Sequence, residues 1–150
     1  VTQHTNDKQE LDPTLESLKV LPEELGQVSE LLADNGYFSE DNVLACEGNG
    51  ITPYIAVGRD HHNPRLWDRL SEPPPLEEGA DSVTQMRHRL KTLAGKSIYA
   101  LRKSTSEPVF GIIKAVMGFR GFMLRGHEAV QGEWSLVCMA YNLKKLHILA

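Results

Sequence analysis

Two acidic side chains, one of them set among cations, are the residues whose type and spacing could do chemistry in this chain. Glu107 is the only Asp or Glu between Ser82 and His127, a tract that also holds Arg87, Arg89, Lys91, Lys96, Arg102, Lys103, Lys114, Arg120 and Arg125. On a helix, Lys103, Glu107 and Lys114 share a face, while Phe110 and Ile113 turn toward a core. A carboxylate flanked by cations on its own face is held ionised, the form that ligates a divalent metal ion. The same cations can hold phosphates around such an ion. The competing reading is an i,i+4 surface pair with Lys103, worth roughly 0.2–0.5 kcal/mol. Periodicity by itself favours that pair.

Asp34 is the second carboxylate. It closes the apolar run Leu31-Leu32-Ala33, and open α/β sheets gather ligands and metals beyond the C-terminal ends of their strands. Read alone, Asp34-Asn35-Gly36 is a turn with Tyr37 packed below it, and that reading is the favoured one. His61, His62 and Asp60 lie in a Pro-rich stretch and read as a solvated loop, because adjacent histidines cannot easily ligate one ion from a short loop. Cys46 reads as a small core residue. Trp134, with Val130, Val137 and Tyr141 at helical spacing, reads as core and not as a base-stacking platform. The sequence has no Gly-rich phosphate loop between strand and helix, and no compelling Ser-His-Asp order.

The elements that must position these groups follow from pattern. Asp7 with Glu10 has the form of a capping box opening a helix with Leu11, Leu15 and Leu18 near one face. Val28–Ala33 reads as a buried strand stopped by Asp34-Asn-Gly-Tyr37. Ser39 caps a helix that runs to Gly48-Asn-Gly50, and residues 51–57 form a second strand with Pro53 near its start or at an edge. Val1-Thr2 could end an earlier strand. Strand, helix, strand with short loops is the βαβ unit of an α/β fold with a mostly parallel sheet. Residues 58–81 are poor in apolar side chains and read as an exposed insertion. Beyond them the pattern is helical: one helix near 82–93, a second across 96–117 that Pro108 must start, bend or interrupt, and a last from about 127 to 147.

Composition narrows the function classes. A chain of 150 residues with 41% hydrophobic and 24% charged side chains suits one globular domain. No apolar run approaches the ~20 residues of a membrane-spanning helix. Two distant cysteines fit a reducing cytoplasm. The net charge of −4 conceals a division: residues 1–81 hold 17 acidic and 5 basic side chains, residues 82–150 hold 3 and 11. The second part therefore suggests a polyanion-facing surface, and a solvated face balanced by its acidic partner half is the alternative. The chain begins at Val1 with neither initiator Met nor signal peptide, and reads as a piece of a longer one.

Taken in order, L31-L-A-D-N-G-Y-F-S39, G50-I-T-P-Y-I-A56, Y99-A-L-R-K-S-T-S-E-P-V-F-G-I-I-K114, F119-R-G-F-M-L-R-G126 and G132-E-W-S-L-V-C-M-A-Y-N-L-K144 resemble the C-terminal part of DDE transposases of bacterial insertion sequences. The resemblance covers essentially the whole chain, 1–150. It implies a partial ribonuclease H-like fold, a mixed sheet flanked by helices, with the first strands and the first catalytic Asp upstream of Val1. It implies that Asp34 and Glu107 are the second and third catalytic, metal-binding carboxylates, and that two Mg2+ or Mn2+ ions serve cleavage and strand transfer of DNA ends. Tyr99, Arg102 and Lys114 take the other positions of the signature helix. Four residues separate Arg102 from Glu107, one more than the commonest spacing, which Lys103 satisfies, so the arginine position stays open between the two. Arg102, Lys103, Lys114 and Arg120 are the implied DNA-phosphate contacts, Tyr99 and Tyr37 the supporting residues. The implied partners are transposon-end and target DNA and a second copy of the chain, in a bacterial cytoplasm. Two readings follow: the catalytic part of a transposase, or a truncated remnant that at most binds DNA or a partner subunit. On either, residues 1–150 alone are expected to be inactive in metal-dependent strand cleavage.

Overall fold

The computed structural model describes residues 6–58, 67 and 70–149, in two compact units that meet in sequence between Arg102 and Lys103. The reading of Val1-Thr2 as a strand end and of Asp60, His61 and His62 as a solvated loop lies outside the described residues. No helix among those described is long and apolar enough to cross a membrane.

The first unit begins at Asn6. Its side chain, not that of Asp7, accepts from Lys8 N and caps a 3-10 turn over Asp7–Glu10, which continues into helix α1, Leu11–Lys19. Asp7, the expected cap, thus falls one position inside the turn. Leu11 and Leu15 are buried and Leu18 packs beside them, as their spacing requires. Strand β1 is Glu30–Ala33, two residues shorter at its start than the apolar run suggests. Helix α2, Glu40–Gly48, is capped by Ser39, whose hydroxyl accepts from Asn42 N at 3.1 Å. Strand β2, Thr52–Ile55, then pairs in parallel with β1, Ala33 opposite Ile55 and Leu31 opposite Pro53. Pro53 is the second residue of β2, where its missing N–H is tolerated.

The βαβ unit is therefore present, but among the described residues the sheet has two parallel strands and the unit is mostly helical. Ala33, Val43 and Ile55 form its core with Val83 and Met86, which come from helix α3, Ser82–Lys91. Leu11, Leu15, Cys46 and Ile51 form a second cluster, and Leu31 packs against both. Asp81 caps α3, accepting from Thr84 N at 3.2 Å and from its hydroxyl at 2.6 Å, and these bonds hold the Asp81 carboxyl below its ordinary range. Within the stretch 58–81, the described residues from 70 onward are mostly exposed.

Only Thr92 separates α3 from the next helix, α4, Leu93–Gly111. Thr92 is extended, its hydroxyl donating to Arg89 O at 2.8 Å and accepting from Gly95 N at 2.9 Å. One side chain thus closes one helix and opens the other. The expected start near residue 96 is three residues late, because a threonine joint needs no linker. Gly95 is required there: a Cβ at this position would overlap Arg89 O.

In the second unit, α4 runs through Pro108 without stopping, then widens over Ile112–Val116 into a π-helical turn in which Met117 N donates to Ile112 O at 2.9 Å. A proline inside a helix removes one i→i−4 bond and crowds the carbonyl four residues back. Of the three expectations for Pro108, starting and interrupting the helix are both corrected: the helix accommodates it. Helix α5 is His127–Leu149, two residues longer than expected. Val130, Trp134, Val137 and Tyr141 do share a face, but all are only half-buried, so the expectation of a core stripe is corrected. Among the described residues of this unit Ile113 is the buried one, and Trp134 stands among the rings of Phe110, Phe119 and Phe122, with centroids 6.2–6.3 Å away.

Two outcomes test this packing. Gly95→Ala should lower unfolding free energy by roughly 1–3 kcal/mol in urea titrations, since the obstacle is backbone and cannot swing aside. Cys46 is fully buried, and burial pushes its thiol up to about 11. The folded state keeps the proton that an unfolded thiol loses near pH 9, so this contribution to stability is present below pH 9 and fades as pH rises toward 11. At pH 8, a thiol reagent should modify Cys46 only on unfolding.

Candidate functional site

Asp34 stands one residue beyond β1, and the local fold accounts for its placement. Its Oδ1 accepts from Gly36 N at 3.0 Å and caps a 3-10 turn over Asn35–Tyr37. Asn35 Oδ1 accepts from Gly58 N at 2.8 Å, which ties the turn to the chain leaving β2. Asn42, a buried polar residue on α2, donates from Nδ2 to Tyr37 O at 2.7 Å and to Lys8 O at 3.0 Å. The turn is therefore fastened from α2, from β2 and from the N-terminal segment. The expected turn is present, and it leaves the Asp34 side chain 53% exposed.

Helix α4 meets this turn. Tyr99 donates its hydroxyl to Ala33 O at 3.2 Å, one residue before Asp34. One turn on, Arg102 places Nη1 at 3.6 Å from Asp34 Oδ2, and its guanidinium lies over the Tyr99 ring, 5.6 Å from the centroid. At that separation the pair is ionic and not a hydrogen bond, and with Asp34 half-exposed it contributes only about 0.2–1 kcal/mol. Tyr37 is half-buried beside the turn, and its hydroxyl is held above the ordinary tyrosine range, first by desolvation and then by the charges of Asp7, Asp34 and Glu10.

Asp34, Tyr37, Tyr99 and Arg102 are thus brought together in the first unit. Lys103, Glu107, Lys114 and Arg120 belong to the second unit and are exposed. Lys114 and Arg120 line a cleft of about 400 Å3 with Phe110, Phe119, Phe122 and Trp134. Among the described residues, no three His, Cys, Asp or Glu side chains converge on one point. Asp34 accordingly offers a single carboxylate, which suits a hard ion that keeps its waters and takes one or two protein oxygens better than it suits an enclosed cage.

Sequence reasoning missed two residues. Asn42 carries no catalytic signal, and only its burial shows that it laces the Asp34 turn together. Glu133, inside the motif G132-E-W, accepts from the backbone of Met123 and Leu124, a contact that no spacing rule anticipates. Tyr99→Phe should cost about 0.5–1.5 kcal/mol in urea unfolding, the loss of one hydrogen bond with the ring packing kept.

No curated protein and no solved structure shows a significant match to the chain. A family model described as "Transposase DDE domain" matches residues 76–147, which take in the α3 and α4 helices, the cleft and nearly all of α5. That stretch, which carries Tyr99, Arg102, Glu107, Lys114 and Arg120, is similar to a C-terminal DDE-type transposase domain, and the match supports a function related to transposition.

Proposed function

We propose that the protein cuts and joins DNA ends in transposition, with Asp34 and Glu107 as two of its phosphoryl-transfer carboxylates. The observation that carries this is the seating of Tyr99 and Arg102 on Ala33 and Asp34. Asp34 lies outside the matched stretch 76–147, whereas Tyr99 and Arg102 lie inside it. Contact between the two supports reading them as parts of one site. It also favours Arg102 over Lys103 for the arginine position of the signature, since Arg102 reaches a carboxylate and stacks on the signature tyrosine.

On this reading residues 1–150 are the C-terminal portion of a ribonuclease H-like catalytic domain, with the stretch near 58–81 as an insertion. The parallel βαβ unit with Asp34 just past its first strand supports that assignment. Divalent ions held by Asp34 and Glu107, Mg2+ or Mn2+, would supply Lewis-acid stabilisation of charge on a DNA phosphodiester. The chain's own residues do the rest. Tyr99 fixes the height of the Asp34 turn against α4, Arg102 orients the carboxylate, and Lys103, Lys114 and Arg120 hold phosphates, an attachment that weakens as salt rises.

Asp34→Asn separates the chemistry from the fold, because Asn caps a helical turn as well as Asp does. In the complete protein, Asp34→Asn and Glu107→Gln should each lower Mg2+-dependent cleavage of end-labelled transposon-end duplex by at least roughly 100-fold, the loss of several kcal/mol of charge stabilisation. Melting temperature and duplex affinity should stay close to those of the parent. Undiminished cleavage by either variant would remove that residue from the site.

A further inference from the structure

Glu133 is one of only 3 acidic residues in the whole stretch 82–150, and its charge is used internally. Its Oε1 accepts from Met123 N at 2.9 Å, and its Oε2 accepts from the same N–H at 3.1 Å and from Leu124 N at 3.0 Å. Two consecutive backbone N–H groups converging on an anion make a small nest, and bonds of this kind to a charged acceptor are about twice as strong as neutral ones. The segment is tied at its other end too. Gly118 takes a left-handed conformation, φ 75°, and Phe119 N donates to Ile113 O at 3.1 Å.

Residues 119–124 therefore form a short loop pinned at both ends, to the π-helical turn and to α5. Between the pins sits Arg120, on the rim of the cleft that Lys114 also lines. The rings of Phe119 and Phe122 meet edge to face at 5.4 Å, and each packs on Trp134, the residue after Glu133. Brace and ring contacts act on the same few residues, so the Arg120 backbone is held from both sides.

We propose that Glu133 is a positioning residue for DNA contact: its carboxylate braces the 119–124 loop so that Arg120 is presented beside Lys114 to a backbone phosphate. This rests on reading the basic C-terminal half as DNA-facing. The proposal reverses the sign that bulk electrostatics gives. A carboxylate near bound DNA repels phosphate, so removing one by charge alone tightens binding; removing a brace loosens it.

The measurement is fluorescence anisotropy of labelled duplex DNA with the protein over a salt series. Arg120→Ala should reduce the steepness of log K against log salt by about 0.9, one phosphate contact. Glu133→Ala should weaken binding and reduce the slope by the same amount, and the Arg120→Ala/Glu133→Ala double variant should go no further. Glu133→Gln keeps an acceptor oxygen and should recover most of the slope. Should Glu133→Ala fail to fold, Glu133→Asp decides, because it keeps the charge and shortens the reach, and it must show the same loss. Tighter or unchanged binding by the Glu133 variants, additivity with Arg120→Ala, or an unaltered slope in Arg120→Ala overturns the positioning role while leaving the DNA reading intact. If the parent protein binds duplex without salt dependence, the DNA reading itself fails and the positioning role falls with it.

Discussion

The carbonyl of Ala33 is the point on which the first unit turns. Its two lone pairs accept from Ala56 N, at 3.2 Å, and from the Tyr99 hydroxyl, also at 3.2 Å. The first bond extends the parallel pairing past Ile55, and the second fastens α4 to the end of the strand. The Ala33 side chain, meanwhile, lies in the core with Val43, Ile55 and Met86. A larger residue there would push the strand end off that core and disturb both bonds. Asp34 inherits its position from this arrangement, since the next backbone unit has little freedom once Ala33 is held on three sides.

The route by which Tyr99 arrives at that carbonyl is a closed circuit of contacts. Pro53 in β2 gives no N–H to the ladder, but its carbonyl accepts from Arg89 Nη1 at 3.1 Å, and the Arg89 guanidinium lies 5.7 Å above the Tyr54 ring. Arg89 anchors α3 to β2, the Thr92 joint turns α3 into α4, and Gly95 allows the close approach that the joint needs. Tyr99 lies four residues, about one turn, beyond Gly95 and returns to β1. Each link is weak alone. Because they form a ring, no link can relax without displacing the next, and a site residue at the end of a short, two-stranded sheet gains the rigidity that a larger sheet would otherwise supply.

Much of this was legible from residue pattern, and the failures have physical causes. Ser39, the α2 span and the buried Leu11 and Leu15 followed from capping chemistry and from helical periodicity, which are local properties. The expected β1 start lies two residues early because Val28 and Ser29 continue an apolar-looking run, although Ser29 gives the neighbouring strand only its carbonyl, which accepts from Thr52 N at 2.8 Å. The Asp7 cap was misread because Asn6, an equally good cap, stands beside it. Pro108 is ambiguous because sequence does not tell whether a helix will accommodate an internal proline or stop at it. For the candidate site, the types at Asp34, Tyr99 and Arg102 were visible, but their contact was not: it joins residues more than sixty positions apart, and nothing local encodes it. Glu133 was hidden for the same reason, since an acceptor for backbone N–H groups carries no side-chain signature.

At Asp34, folding explains position more fully than it explains charge. At Asp34 the cap to Gly36 requires a side-chain oxygen, which Asn would supply equally well. The ion pair with Arg102 is too long and too exposed to justify a carboxylate by its stability, at about 0.2–1 kcal/mol. Burial, capping and pairing account for nearly every other residue named in the first unit, from Asn42 to Gly95. Where those forces are satisfied by a neutral side chain and the chain carries a charged one, the charge answers to something outside the fold. On the function proposed above, a phosphate backbone with its metal ions is the counterpart that the charge at Asp34 would match.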